Sequence, residues 1–233
     1  MTCDSQSIHE PPTTIHNTRK IVMSKKHTEP TSKEIYKQTV ELIEREKIFF
    51  LFTGDSFKPL IEASEYLWEN GFNLIGIDFR IPGIKNLLKS VKRKEQRNLG
   101  VFSISPRKDA RIAINAGASF LFSTHLDRGI IRRCRKEGLF HAIGAITPTE
   151  IFNAYDLGAD AVSIFPSGQI GGLSWLIFLR ENFPMVKFVP TDTMSPYEAG
   201  QYLKAGAYAV APIIYLDKVK EPKELIREFS EIR

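Results

Sequence analysis

From Ile48 onward the chain alternates between short apolar runs and longer amphipathic stretches. The run Ile48-Phe49-Phe50-Leu51-Phe52 is too short for a helix and suits a strand buried on both faces. Similar runs begin near Leu74, Gly100, Phe120, His141, Ala161, Lys187 and Ala209, at steps of about 20–26 residues. That step is one strand plus one helix. The helical stretches end at Asn70-Gly71, Ala116-Gly117, Glu137-Gly138, Leu157-Gly158 and Ala205-Gly206, where glycine accepts the left-handed conformation that follows a helix. Three of these ends repeat one phrase, Gly117-Ala118, Gly158-Ala159 and Gly206-Ala207. Eight such units predict an eight-stranded parallel (β/α)8 barrel of the TIM type. An open doubly wound sheet is the alternative, but eight near-equal units need no switch point.

Upstream, Ser32 with Glu34, then Tyr36, Val40, Leu42 and Ile43, read as a capped amphipathic helix. Residues 1–31 are polar, hold Pro11, Pro12 and Pro30, and show no apolar period. Such a segment cannot bury enough surface to offset its ordering entropy, so the expected organisation is a disordered tail over 1–31 and one barrel domain over 32–233. Met23, inside the tail, is a second candidate start. Hydrophobic and charged shares of 42% and 25% are those of ordinary globular proteins. The net charge of +5 is mostly interleaved along the chain. Cys3 lies in the tail and Cys134 in a helical stretch, so no structural disulfide is expected. No apolar run reaches the ~20 residues of a membrane span, and the N-terminus lacks a secretory apolar region. The expectation is a cytoplasmic protein with no membrane partner.

In a parallel barrel, chemistry sits where strands end. Strand two ends Ile75-Gly76-Ile77-Asp78-Phe79-Arg80-Ile81-Pro82, and alternation puts Gly76, Asp78 and Arg80 on the face toward the mouth. The other ends bring Thr53, Ser103, Ser105, Thr124 with His125, Thr147-Pro148-Thr149-Glu150, Ser163 with Phe165-Pro166, a loop with Gly168, Gly171 and Gly172, then Thr191-Asp192 and Ala211-Pro212. Thr147-Pro148-Thr149-Glu150 also reads as a helix start.

Four of these pieces carry a resemblance. Ile75 through Pro82 is similar to I-E-V-T-L-R-T-P, and Thr147-Pro148-Thr149-Glu150 to T-P-S-E. Phe165-Pro166 with Gly171-Gly172 is similar to K-x-F-P-A-x-x-x-G-G, and Phe188-Val189-Pro190-Thr191 to F-x-P-T-G-G. Together they resemble the 2-keto-3-deoxy-6-phosphogluconate and 4-hydroxy-2-oxoglutarate (KDPG/KHG) aldolases, class I lyases that release pyruvate. The resemblance implies a homotrimer. It also assigns Arg80 and Ser103 to holding a carboxylate, Thr191 to the same pocket, and Gly171-Gly172 to a phosphate turn.

The departures fall on the chemistry. The position of the family's Schiff-base lysine is Ser163, and that of its acid/base glutamate is Gly76. A serine hydroxyl cannot form an iminium, and glycine cannot shuttle a proton. Lys187 begins its strand, at the opposite end of the barrel. Asp192-Thr193 and Pro212 replace glycines of the phosphate site, and a carboxylate about 4 Å from a phosphate costs about 4 kcal/mol per charge pair at an effective dielectric of ~20. The expected function is therefore that of a diverged, non-catalytic homologue that binds a small carboxylate or keto acid, with Arg80, Ser103, Thr191, Asp78, Gly171 and Gly172 as binding candidates and no cofactor. A scaffold role is a second possibility. The rival is an active lyase with lysine-independent, metal-assisted chemistry.

Other features read more plainly. Asp78 two residues before Arg80 is a candidate partner for its charge. His125 reads as a solvated loop residue and His141 as structural. Asp78, Asp192 and His125 come from different strands, so spacing gives no support for a metal site. The basic runs Lys89–Lys94 and Arg132–Lys136 lie on outer helices without aromatic interleaving. They read as solvated faces, with no nucleic-acid partner expected.

Overall fold

Each apolar run becomes one short strand because its residues are needed on two sides at once. The strands are β1 (Phe50–Thr53), β2 (Ile75–Asp78), β3 (Gly100–Ile104), β4 (Phe120–Ser123), β5 (Phe140–Gly144), β6 (Ala161–Ile164), β7 (Phe188–Asp192) and β8 (Ala211–Tyr215). They pair in parallel in chain order, and β8 pairs with β1 to close the barrel. This is the eight-stranded (β/α)8 barrel that the sequence predicts. The computed structural model describes residues 31–55, 57–92 and 98–232. The tail reading, with Met23 and Cys3, falls outside them, as does the end of the Lys89–Lys94 run.

The helices are α1 (Ser32–Glu46), α2 (Phe57–Glu69), α3 (Ile84–Lys92), α4 (Arg107–Ala116), α5 (Arg128–Glu137), α6 (Pro148–Asp156), α7 (Gly172–Asn182), α8 (Pro196–Lys204) and α9 (Pro222–Ser230). Outward strand residues such as Ile75, Ile77, Val101, Leu121, Ile143 and Val162 form one core with Leu60, Leu88, Ile130, Ile151 and Leu179 of the helices. Inward residues form a second core of Phe49, Leu51, Leu74, Phe102, Phe120, Phe122, Phe140, Val189 and Ile213. Phe49 meets Phe120 and Phe122 edge to face with ring centroids 5.0 Å apart, a favourable aromatic geometry.

Helix α1 closes the N-terminal end of the barrel. Its Ile43 joins the inward core. Glu46 is buried and accepts the N–H groups of Asn73 and Leu74 at 2.8 and 3.1 Å. Tyr36 Oη donates to Asp160 Oδ1 at 2.8 Å, while Asp160 Oδ2 accepts the His141 N–H at 2.9 Å. The N-cap of α1 is Thr31, one residue before the expected Ser32. Its hydroxyl accepts the Glu34 N–H and the Glu34 carboxylate accepts the Thr31 N–H, so the three-residue spacing of a capping box selects Thr31. At the seam between α1 and α5, Gly138 has φ +69°, and a Cβ there would run into the Ser32 backbone. Both its conformation and its contact exclude a side chain.

His141 lies on the outward side of β5, alternating with Phe140 and Ala142 of the inward core. It is 1% exposed, and its Nε2 lies 2.9 Å from Ser123 Oγ. Nδ1 has no hydrogen-bond partner among the described residues. Burial pushes its pKa from 6.5 down to about 3, so the ring folds neutral. Between these values the unfolded chain binds a proton that the folded chain does not, so stability falls as pH falls through that window. His141→Gln should flatten the acid limb. In urea titrations from pH 7 to pH 4, wild type should lose stability with a slope approaching ~1.4 kcal/mol per pH unit more than the variant below pH 6. Equal slopes would show that His141 is protonated in the fold.

Candidate functional site

The strand ends surround a cleft of about 590 Å³ at the C-terminal mouth of the barrel. Leu51, Phe102 and Phe122 of the inward core line it together with polar residues from nearly every strand. Four of the six sequence-derived binding candidates, Asp78, Arg80, Ser103 and Thr191, meet there, with Ser163 beside them. Gly171 and Gly172 do not line it; they sit where α7 begins.

Asp78 ends β2 and is 1% exposed. Its carboxylate accepts Thr53 Oγ1 at 3.2 Å, the Arg80 backbone N–H at 3.0 Å, Arg80 Nε at 2.9 Å and Arg80 Nη2 at 2.5 Å. Arg80 is not part of the strand, since β2 stops at Asp78 and a turn follows. The Arg80 side chain is 73% exposed and its pKa is raised, through the Asp78 hydrogen bonds and then the Asp78 charge. A guanidinium carries five N–H donors in a rigid fork. Asp78 engages Nε and Nη2, which orients the fork and leaves donors at the mouth. The pairing with Asp78 and a place at the cleft therefore coexist.

Ser163 and Thr191 form a buried hydroxyl pair at 2.8 Å. Thr191 Oγ1 donates to the Val189 carbonyl at 3.0 Å, so Ser163 supplies the proton between them. Ser103 reaches the cleft from a distorted part of β3. Its φ is +61°, and the β3–β4 register shifts between Val101 and Ile104. A bulge of this kind re-aims a side chain.

Gly76 does not face open space. A Cβ there would stand 2.6 Å from Leu51 Cδ2 and 3.3 Å from Phe120, and a Cβ on Gly100 would overlap three atoms of the Phe120 ring. Phe120 fills the volume left at Gly100, and Leu51 with the edge of Phe120 fills that left at Gly76. Asp192 likewise is engaged: Oδ2 accepts the Gly168 N–H at 2.9 Å and Oδ1 the Thr193 N–H at 2.8 Å. It fastens the glycine loop after β6 and does not line the cleft.

Several cleft residues escaped the sequence reading. Tyr215 continues the inward alternation of Ala211 and Ile213, and period two would have found it. Glu150 was read only as a helix start. It does complete the capping box with Thr147, and its Oε2 accepts the Ile146 and Thr147 N–H groups at 3.0 and 2.9 Å. Those backbone donors hold its pKa below the usual carboxylate value, yet Glu150 also lines the cleft, as does exposed His125. No lysine is among the described residues lining the cleft. Lys187 lies at the other end, its ammonium 4.4 Å from the Tyr208 ring centroid. Among the described residues no group of three His, Cys, Asp or Glu stands ready to hold a metal ion.

The family model for KDPG and KHG aldolases matches residues 41–222. The chain belongs to this aldolase family. The 2-dehydro-3-deoxy-phosphogluconate aldolase of Zymomonas mobilis subsp. mobilis is 27% identical over 147 residues, 63% of this chain and 69% of that protein. The Treponema pallidum enzyme of the same name is 23% identical over 164 residues, 70% and 78% of the two chains. Among solved structures, a 4-hydroxy-2-oxoglutarate/2-dehydro-3-deoxyphosphogluconate aldolase aligns with a TM-score of 0.73 at 24% identity, covering 83% of this chain and 97% of the other. The KDPG aldolase of Legionella pneumophila, captured with pyruvate as a covalent carbinolamine, aligns with a TM-score of 0.68 at 16% identity, covering 88% and 97%. At these identities the structures share the fold. No helix among the described residues is long and apolar enough to cross a membrane.

The Gly100–Phe120 fit is testable. Gly100→Ala should destabilise the barrel by about 1–3 kcal/mol through overpacking, and Phe120→Leu alone by a cavity cost of similar size. The double variant should be more stable than the sum of the two predicts, with a coupling of about 1 kcal/mol or more in chemical denaturation. Strict additivity would show that the ring moves aside freely.

Proposed function

We propose that this aldolase-family barrel holds a small carboxylate or keto acid in its cleft without forming a Schiff base. The observation that carries the reading is the Ser163–Thr191 hydroxyl pair, at the position matching the family's lysine, in a cleft with no lysine among its described lining residues. A carbinolamine, such as the Legionella relative forms with pyruvate, needs a primary amine to attack the keto carbon. The packing at position 76 supports the same conclusion, because a glutamate there would have to displace Leu51 and Phe120. Arg80, with donors beyond those bound to Asp78, and Ser103 suit a carboxylate. The cleft thus retains anion recognition while lacking the electron sink.

Incubation with pyruvate and borohydride should leave the mass of the intact protein unchanged, since no iminium forms to be reduced. An adduct mapped to a lysine at the mouth would overturn the proposal. Ser163→Lys alone should not generate pyruvate release, because no proton shuttle accompanies the amine. A thermal-shift screen of keto acids, sugar acids and their phosphates should find a stabilising acid, and Arg80→Ala should abolish that stabilisation, a loss of about 1–3 kcal/mol of binding. Turnover that a chelator removes would instead support the lysine-independent lyase.

A homotrimer is proposed from the family resemblance. Phe152 and Tyr155 of α6 and Ile177 and Phe178 of α7 stand exposed and are suited to such a contact. Light scattering should give three times 26.5 kDa, falling to one chain in Phe152→Glu/Phe178→Glu. An unchanged mass in that variant would place the contact elsewhere.

A further inference from the structure

The two basic runs are separate in sequence, but the fold joins them. Helices α3 and α4 pack side by side, as do α4 and α5. The sequences of these three helices hold eleven Lys and Arg residues and two acidic ones, Asp109 and Glu137, a net charge of +9. The whole chain carries +5, so the rest is net acidic and the charge is segregated onto one face. Burial of Leu88 and Val91 on α3, Ala110 and Ala113 on α4, and Ile130, Ile131 and Cys134 on α5 fixes which sides look outward. Lys85 and Lys89, Lys108 and Arg111, and Arg128, Arg132 and Lys136 are all exposed. Helical spacing lays them out as three outward rows. Arg107 is taken by Asp127 and Arg133 by Glu137. None of the seven outward cations has an ion-pair partner among the described residues.

We propose that this face binds duplex nucleic acid through its phosphodiester backbone. The three helices follow one another around the outside of the closed barrel, so their rows form one continuous convex strip of cations along which a phosphodiester backbone can lie. Arginine is suited to phosphate. Among the described residues, the large hydrophobics that stand exposed all lie outside α3, α4 and α5, so these helices offer nothing to insert into lipid and no ring on which an unpaired base would stack. Contact by charge alone recognises the backbone and not the sequence. This site lies on the outside of the barrel and is independent of the cleft.

The test is fluorescence anisotropy of labelled 24-base-pair DNA and RNA duplexes of mixed sequence with the full chain, from 50 to 200 mM salt. Binding should weaken with a slope of about −4 to −6 in log K against log salt, a loss of a few hundredfold or more across that range. Lys108→Glu/Arg111→Glu/Arg128→Glu/Arg132→Glu should weaken binding at 50 mM salt by more than tenfold. Lys204→Glu/Lys223→Glu, on α8 and α9, should not. Should the quadruple variant fail to fold by circular dichroism, Arg128→Ala/Arg132→Ala should make the salt slope shallower by about 2. Absence of binding at 50 mM salt, or equal binding by the α5 variant and wild type, would overturn the proposal. So would capture by phosphatidylserine vesicles or polyglutamate under conditions where neither duplex binds.

Discussion

Phe120 sits on the inward side of a closed barrel, and it fits there because Gly76 on β2 and Gly100 on β3 present no side chain to it. The interior of an eight-stranded barrel is only wide enough to be filled by side chains. One ring placed in that volume decides what the neighbouring strands are allowed to carry. Around it Phe49, Phe122 and Phe140 interlock, and Ile43 of α1 closes the stack from beneath. The polar cleft therefore rests on an apolar floor and begins only at the last inward position of each strand. Asp78, Ser163 and Thr191 are nearly buried on that floor, and buried polar groups need partners. The hydroxyl pair and the Asp78–Arg80–Thr53 set are the partners available.

Much of the architecture was readable along the chain because it rests on local rules. Strand positions follow from apolar runs, and helix ends from glycine. The helix start at Thr147 follows from the spacing of Pro148 and Glu150; the same spacing, applied strictly to Glu34, would have chosen Thr31 over Ser32. Asp78, Ser103 and Thr191 were legible because each lies in the last part of a strand, and Arg80 because it follows one closely. What could not be read is whatever depends on neighbours across the barrel. Gly76 looks like a vacancy in sequence and is a packed position in space. Asp192 looks like a charge in the cleft and is a fastening for the Gly168 loop. Gly171 and Gly172 share a motif with cleft residues but start a helix beside it. The basic rows emerge only once α4 is placed between the two runs.

The mouth holds its charges in fixed places. Asp78 sets the direction of Arg80, and Glu150 is tied to the backbone at the start of α6. Rigidly held groups of this sort lose little freedom when a ligand arrives, which favours binding. They also give selectivity against ligands that need the same donors. Because the Gly168 N–H after β6 and the Thr193 N–H after β7 already serve Asp192, the loops after these two strands have fewer backbone donors to offer an incoming anion.

Ser103 sets stability against purpose. It holds a left-handed backbone conformation that costs a non-glycine residue about 1–2 kcal/mol, in a strand whose register breaks around it. Glycine would relax that backbone and remove the hydroxyl from the cleft in the same step. Natural proteins sit close above the stability they require, so an easily relieved strain is a readable mark on the chain. At Ser103 the easiest route to a firmer barrel runs through the loss of a cleft hydroxyl. Libraries selected for thermal tolerance alone would drift to glycine there, and libraries selected for ligand retention would keep the serine.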